Sequence, residues 1–298
     1  MIVISMNISL SRRDFLFLSA SATLAAMLPE ISHAAQTDTT RVIALEWRPV
    51  EMLIACGVMP MGVADKQNYQ RWVFEPALPE NVIDVGLRNE PNYELMSRMQ
   101  PSLFVISSGF GVGARELTSI APAWETSFYD EHGHPLTLLE AEILRLGKFL
   151  GTESEAKNHL EYFHHHIDKT KAALPPVNKP LVIFSFLDSQ RVMIFGQQSL
   201  FNDLLNRLGL RNAWDGKTNR WGSAIVGIET LVNLEGAIGL CLTHGDNDPV
   251  HSLANSALWQ VMPFVRDKQL HLLPAVWFYG GSYSAMRFCD LLPEALCV

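Results

Sequence analysis

Gly109, Gly111 and Gly113 stand at alternate positions in SGFGVG, after the apolar run LFVIS and before a helical pattern beginning near Arg115. A strand, a glycine-rich turn and a helix N-terminus are the parts of a phosphate cradle. The dinucleotide fingerprint wants G-x-G-x-x-G in the first strand–helix turn, with an acidic residue about twenty positions on. Here the third glycine comes one residue early, and the turn follows the fourth strand-like run. No Lys-Ser/Thr pair follows for a P-loop. The plain alternative is a flexible strand-to-helix turn. The functional reading is a turn at a cleft edge, where a ligand can approach the backbone closely.

His164, His165 and His166 form a second candidate. Successive residues on a helix point about 100° apart, so three in a row cannot converge on one ion. Glu161 with His165, and His164 with Asp168, make an i,i+4 pair at most, and a solvated helix face is the better account. His244, His251 and His271 are scattered, with no HExxH spacing, and there is no GxSxG elbow. Nothing assembles as a catalytic centre or a metal site.

Arg88, in VIDVGLRNEPN, follows an apolar strand at its C-terminal end. Open α/β sheets bind ligands there, and a guanidinium fork suits oxygen-rich ligands. A surface arginine paired with Glu90 is the even alternative. Trp72, Trp221 and Trp277 fall in loop-like stretches, QRWVF, NRWGS and AVWFYG, with Phe278 and Tyr279 beside the last. Such aromatics, with one arginine and a few hydroxyls, would line a wide apolar cleft with few polar anchors.

Short β-like runs alternating with helical patterns must position these residues. RVIALEW, MGVAD, NVIDVGL and LFVIS read as strands, with a helix from Val50 to Cys56 and another from Tyr93 to Met99. A helical middle follows, first from Leu136 to about Leu150. TESEAKNHLEYFHHHIDKTKAALPP then opens on cap-like residues and stops at two prolines. It spans about 30 Å at 1.5 Å per residue. Strands resume with PLVIFSFLD, RVMIFG, AIGLCLTH and QLHLLP, with a helix from Ser199 to Leu208 and a last one after Gly281. The pattern predicts an α/β protein of two lobes with mainly parallel central sheets, joined by one long helix, the cleft between them. The boundaries are 38–151 and 176–298 for the lobes and 152–175 for the helix.

Composition agrees with a globular chain, 48% hydrophobic and 18% charged. A net charge of −8 without a basic cluster argues against nucleic acid. Residues 1–34 read as an export signal. Arg12-Arg13 precede Phe15-Leu16 and a short apolar run, in twin-arginine style, with Ser32-His33-Ala34 before the cut. Cys56 and Cys241 sit in apolar runs and read as buried thiols; Cys289 and Cys297 have the option of pairing in an oxidising compartment.

RVIALEWRPVEMLIACGVMPMGVAD, VIDVGLRNEPNYELM, NRWGS, LWQVMPFVR and PAVWFYG resemble the periplasmic ferric-hydroxamate-siderophore-binding proteins, of the helical-backbone (class III) substrate-binding proteins of ABC transporters. The resemblance covers essentially the whole mature chain. It implies a monomeric periplasmic protein, not an enzyme, without cofactor or protein-bound metal. Its ligand would be an Fe(III)-hydroxamate complex, handed to an inner-membrane ABC permease with little hinge closure. Arg88 would bond the iron-bound oxygens. Trp72, Trp221 and Trp277 would line the cleft, with Asn219, Ser223, Phe278 and Tyr279 nearby. Glu116 and Glu229 would dock the transporter. One departure stands out: the family has a tyrosine between the glycines, and this chain has Phe110. The alternatives are the same fold holding cobalamin, haem or a catecholate siderophore, and an exported nucleotide-dependent oxidoreductase.

Overall fold

The computed structural model describes residues 37–129, 133–245, 248–253 and 256–296. The twin-arginine segment, the cut at Ala34 and Cys297 lie outside them. Two five-stranded sheets organise the chain. The first, in the order β3-β2-β1-β4-β5, contains β1 (Val42–Ala44), β2 (Gly62–Val63), β3 (Ile83–Asp84), β4 (Leu103–Ser107) and β5 (Ala123–Thr126), all parallel. Its helices are α1 (Trp47–Ala55), α2 (Lys66–Trp72), α3 (Tyr93–Met99) and α4 (Ala114–Leu117).

Then come α5 (Pro135–Leu150) and α6 (Glu153–Ala173), the 21-residue helix that leads into the second sheet. That sheet, ordered β10-β9-β6-β7-β8, contains β6 (Leu181–Phe186), β7 (Arg191–Phe195), β8 (Ser223–Gly227), β9 (Ile238–Thr243) and β10 (Leu270–Pro274). Its helices are α7 (Leu200–Leu208), the short α8 (Pro249–Leu253), α9 (Ala257–Gln260) and α10 (Pro263–Arg266), and the terminal α11 (Ser282–Leu296). Gly209 closes α7 in the left-handed conformation, at φ 78°.

The second sheet is mixed: β6–β9 and β9–β10 are parallel, β6–β7 and β7–β8 antiparallel. The connection between β6 and β7 explains this. Parallel neighbours need a crossover of a dozen or more residues, whereas Leu187 to Gln190 suffice only for a hairpin. Asp188 organises the turn by accepting the N–H groups of Gln190 and Arg191 at 2.9 and 2.8 Å.

Strand residues alternate between two cores, as a pleated strand requires. Val42, Ala44, Leu103 and Val105 face the core built by α1, α5, α6 and α11, while Ile43, Phe104 and Ile106 face the opposite layer with Met96 and Leu117. In the second sheet Leu181 and Ile183 join the first of these cores, and Val182 and Phe184 pack with Trp259 and Phe264. One central core thus runs through both halves. On α6 the residues Ala156, Leu160, Phe163, Ile167 and Thr170 recur every three or four positions and are buried. The histidine run lies mostly off this stripe. His164 sits 3.2 Å from Glu140 on α5, His165 is exposed, and His166 is 2.8 Å from Asp290 on α11.

Two expectations shift. α1 begins at Trp47, not Val50, because Glu46 accepts the Arg48 N–H and caps it, and Pro49 is tolerated in the first turn. Trp72 ends a helix rather than lying in a loop. The reading of Cys56 and Cys241 as buried thiols agrees with the structure, and Cys289 is a buried free thiol as well.

Glu51 of α1 clamps the two halves together. Its carboxylate accepts from Gly281 N at 3.0 Å, Ser284 N at 2.8 Å and Ser284 Oγ at 2.6 Å, all at the start of α11. Burial pushes this carboxyl up to about 7, against the pull of those bonds. An acid raised on folding stabilises most below its unfolded value, and that contribution is lost as pH rises through the folded one. Glu51→Gln keeps an acceptor for the two N–H groups and a donor for Ser284. Its stability relative to the parent should therefore climb from about pH 5 to about pH 8, by roughly 1.4 kcal/mol per unit of the shift removed. Urea midpoints across that range check it, and a flat difference would mean that Glu51 does not titrate there.

Candidate functional site

Between the two sheets lies a cavity of about 310 Å³ whose walls come from both halves. The first half contributes Glu46, Arg48, Arg88, Ser107, Ser108, Phe110 and Phe128; the second contributes Met193, Asn219, Trp221, Ser223, Ile225, Trp277 and Tyr279.

Arg88 follows edge strand β3, and its partner is not Glu90. Its Nη1 donates to Glu46 Oε1 at 2.9 Å, and its Nε lies 3.9 Å from Asp65. Three rings surround the guanidinium: Trp47 at 3.7 Å, Phe110 at 4.9 Å and Trp277 at 5.3 Å from Cζ. A cation over desolvated aromatic faces is held electrostatically by their quadrupoles. Glu46 also accepts from Arg48 N at 2.8 Å and Ser107 Oγ at 3.3 Å. One carboxylate therefore fixes the start of α1, the end of β4 and the Arg88 fork.

The glycine turn is shaped for this packing. Gly109 and Gly111 have φ of 80° and 69°, a region that L side chains rarely adopt. A Cβ on Gly111 would stand 2.7 Å from the Arg88 carbonyl oxygen. The turn rides on the Arg88 backbone and presents Phe110 outward, 45% exposed, toward the cavity. The helix after it, α4, has only four residues, too short for a phosphate cradle.

The opposite wall is a small hydroxyl network. Asn219 Nδ2 donates to Ser223 Oγ at 3.0 Å, and Ser223 Oγ lies 2.8 Å from Tyr279 OH. Asn219 Oδ1 accepts from the Trp221 and Ser223 N–H groups, which fixes the NRWGS turn. Trp277 is buried, and its indole Nε1 has no hydrogen-bond partner among the described residues.

Of the nine ligand-lining residues expected from sequence, seven line this cavity: Arg88, Phe110, Asn219, Trp221, Ser223, Trp277 and Tyr279. Trp72 and Phe278 stand behind the wall. Trp72 stacks on His244 with ring centres 3.9 Å apart, and Phe278 packs on Phe195 and Trp277. Burial pulls His244 down to about 4. Glu116, on α4, and Glu229, on the 3-10 turn Ile228–Asn233, are exposed a few residues beyond Phe110 and Ile225. Among the described residues no three His, Cys, Asp or Glu side chains gather as a metal site.

Glu46, Arg48 and Phe128 escaped the sequence reading. Arg48 is 1% exposed, and Glu46 and Phe128 are 6% exposed. Desolvation brings the Arg48 guanidinium down to about 10, with Glu142, Glu51 and Glu46 resisting. The available signal was a charge triplet, Glu46, Arg48 and Glu51, inside the otherwise apolar ALEWRPVEMLIAC.

A model of the periplasmic binding protein family matches residues 42–276. The iron(3+)-hydroxamate-binding protein FhuD of Escherichia coli (strain K12) is 40% identical over 288 residues, 96% of this chain and 97% of that protein. The Fe(3+) dicitrate-binding periplasmic protein FecB of the same organism is 24% identical over 234 residues, 77% of this chain and 75% of its own. Among solved structures, the Fe3+-Desferal-bound siderophore-binding protein FhuD from Vibrio cholerae has a TM-score of 0.79 at 25% identity, covering 87% of this chain and 98% of that one. The triscatecholate siderophore-binding protein FeuA from Bacillus subtilis has a TM-score of 0.68 at 17% identity and shares the fold.

Gly111→Ala tests the fit of the turn. The positive φ and the close Arg88 carbonyl should cost about 1–3 kcal/mol, visible as an earlier urea midpoint. A midpoint at the parent's value would mean that the turn adapts freely.

Proposed function

The chain belongs to the periplasmic binding protein family, and from that premise we propose that it captures iron(III)-hydroxamate siderophores in the periplasm and delivers them to an inner-membrane ABC permease. The observation that carries this reading is a relative of nearly equal length, 40% identical and named for iron(3+)-hydroxamate binding, together with a cavity built around one clamped arginine. The chain acts as a monomeric carrier, without catalysis and without a cofactor of its own. Export by the twin-arginine segment supplies the compartment.

The chemistry of the cargo suits the walls. A ferric trishydroxamate arrives with six oxygens already around its iron, so it asks the protein for donors to those oxygens, not for metal ligands. Arg88 gives charge-assisted N–H donors, and the Asn219–Ser223–Tyr279 network adds hydroxyls. Trp221, Trp277, Phe110 and Met193 pack against the organic arms. Apolar contact discriminates weakly between arms of similar size, which favours a broad range of hydroxamates. Glu116 and Glu229 each carry an exposed carboxylate near one side of the cleft, and this supports docking onto basic residues of the permease.

Tryptophan fluorescence titrated with ferrichrome tests the assignment, with enterobactin and cobalamin as competitors. Arg88→Ala should weaken ferrichrome binding roughly ten- to hundred-fold, the value of a charged hydrogen bond, with the fold intact by circular dichroism. Unchanged affinity, or preference for enterobactin or cobalamin, would overturn the reading. Charge reversal, Glu116→Arg or Glu229→Arg, should lower uptake by cells while soluble binding stays at the parent's value. Loss of both together would make these residues structural.

A further inference from the structure

Arg48 is the least satisfied polar group of the cavity. It stands in the first turn of α1 and lines the cavity, yet its Nε, Nη1 and Nη2 have no hydrogen-bond partner among the described residues. The neighbouring carboxylates are occupied elsewhere. Glu46 accepts from Arg88, Ser107 and the Arg48 backbone. Glu51 accepts from Gly281 and Ser284, and Glu142 from the Ser127 N–H with both oxygens. These acids balance the charge of Arg48 without taking its donors. Its face lies against the Phe128 ring, 5.0 Å from Cζ, and Phe128 is itself a cavity wall. Phe128 meets Tyr279 edge-to-face at 5.7 Å across the cleft.

A buried guanidinium without acceptors is expensive. Charge balance alone needs only a cation, not a planar fork of unpartnered donors set under the Phe128 ring at a cavity wall. The glycine turn brings Phe110, a ring with no hydroxyl, to the same cavity. We propose that Arg48 is a second guanidinium of the ligand site, donating to acceptor oxygens of the bound ferric hydroxamate when the Phe128 ring turns aside. This rests on the proposed function. A hydroxamate presents two oxygens on neighbouring atoms, and a guanidinium fork matches such a pair where a single hydroxyl does not. The site would thus read its cargo with two forks, one from the end of β3 and one from the start of α1.

The probe is ferric desferrioxamine B, titrated by tryptophan quenching into the parent, Arg48→Met and Arg48→Lys. Arg48→Met should lose roughly ten-fold or more in affinity, and Arg48→Lys should recover only part, since it restores a charge but not the fork. Side-chain ¹⁵N NMR of the parent with the diamagnetic gallium(III) complex gives a readout that needs no variant: the Arg48 Nε–H resonance should shift and exchange more slowly with water. Parent-like affinity in a folded Arg48→Met, or an unmoved Nε–H signal in the saturated parent, overturns the proposal and leaves Arg48 as counter-ion to Glu51 and Glu142. Failure of the parent itself to bind any ferric hydroxamate sinks the functional reading, and this proposal with it.

Discussion

Glu46 accepts hydrogen bonds from Arg88, from Ser107 and from the backbone N–H of Arg48, and it is 6% exposed. Those three partners belong to the segment after β3, to the end of β4 and to the start of α1. A buried carboxylate must find such partners or lose its charge, so the three elements are tied to one point. The consequence reaches the cavity wall. Arg88 cannot swing toward solvent without leaving Glu46 unpaired and losing the Trp47 face at 3.7 Å. Its donors are therefore positioned before any ligand arrives, which lowers the ordering cost of binding.

A second buried carboxylate does for the halves what Glu46 does for the wall. Glu51 joins α1 to the first turn of α11 through three hydrogen bonds. The central core continues behind it, from α1 through α5 and α6 to α11. At Gly147 the contact between α5 and α6 is so close that a Cβ would stand 2.6 Å from that of Ala156. Wide separation of the two sheets would have to strip these bonds and expose this core together. Adaptation to different cargoes falls more readily to side chains, and Phe110 and Ile225 at the rim are 45% and 57% exposed.

The sequence displayed what depends on local chemistry. Apolar runs bounded by turns marked the strands, Gly209 marked the end of α7, and the proline-stopped middle marked α6, although Thr152 at its start makes no side-chain cap bond. The place of Arg88, Trp221, Trp277 and Tyr279 at the cavity was legible because a charge or an aromatic stood where a loop meets a strand end, whereas Asn219 and Ser223 were reached only through the resemblance. What stayed hidden depends on long-range pairing. The Asp188 hairpin turns β7 antiparallel, which alternation of strand and helix does not show. Trp72 was misplaced because a short polar helix, KQNYQRW, lacks an apolar stripe. Arg48 was missed because it fell between a strand read to Trp47 and a helix read from Val50, where a charge usually faces water, and the packing of Phe128 over it reveals otherwise.

The polar inventory of the cavity then explains its design. Arg88 is clamped by Glu46, and Ser223 is linked to Tyr279. Arg48 and the Trp277 indole are different: both are buried at the cavity wall with no hydrogen-bond partner among the described residues. Clamped donors define where oxygens must sit, and aromatic walls tolerate what surrounds those oxygens. A cargo that keeps its iron–oxygen centre constant and varies its organic arms meets both conditions. Unpartnered donors raise the free energy of the empty site, and a ligand that supplies acceptors removes that cost on binding. The stability given up by the empty protein thereby returns as affinity for an oxygen-rich ligand.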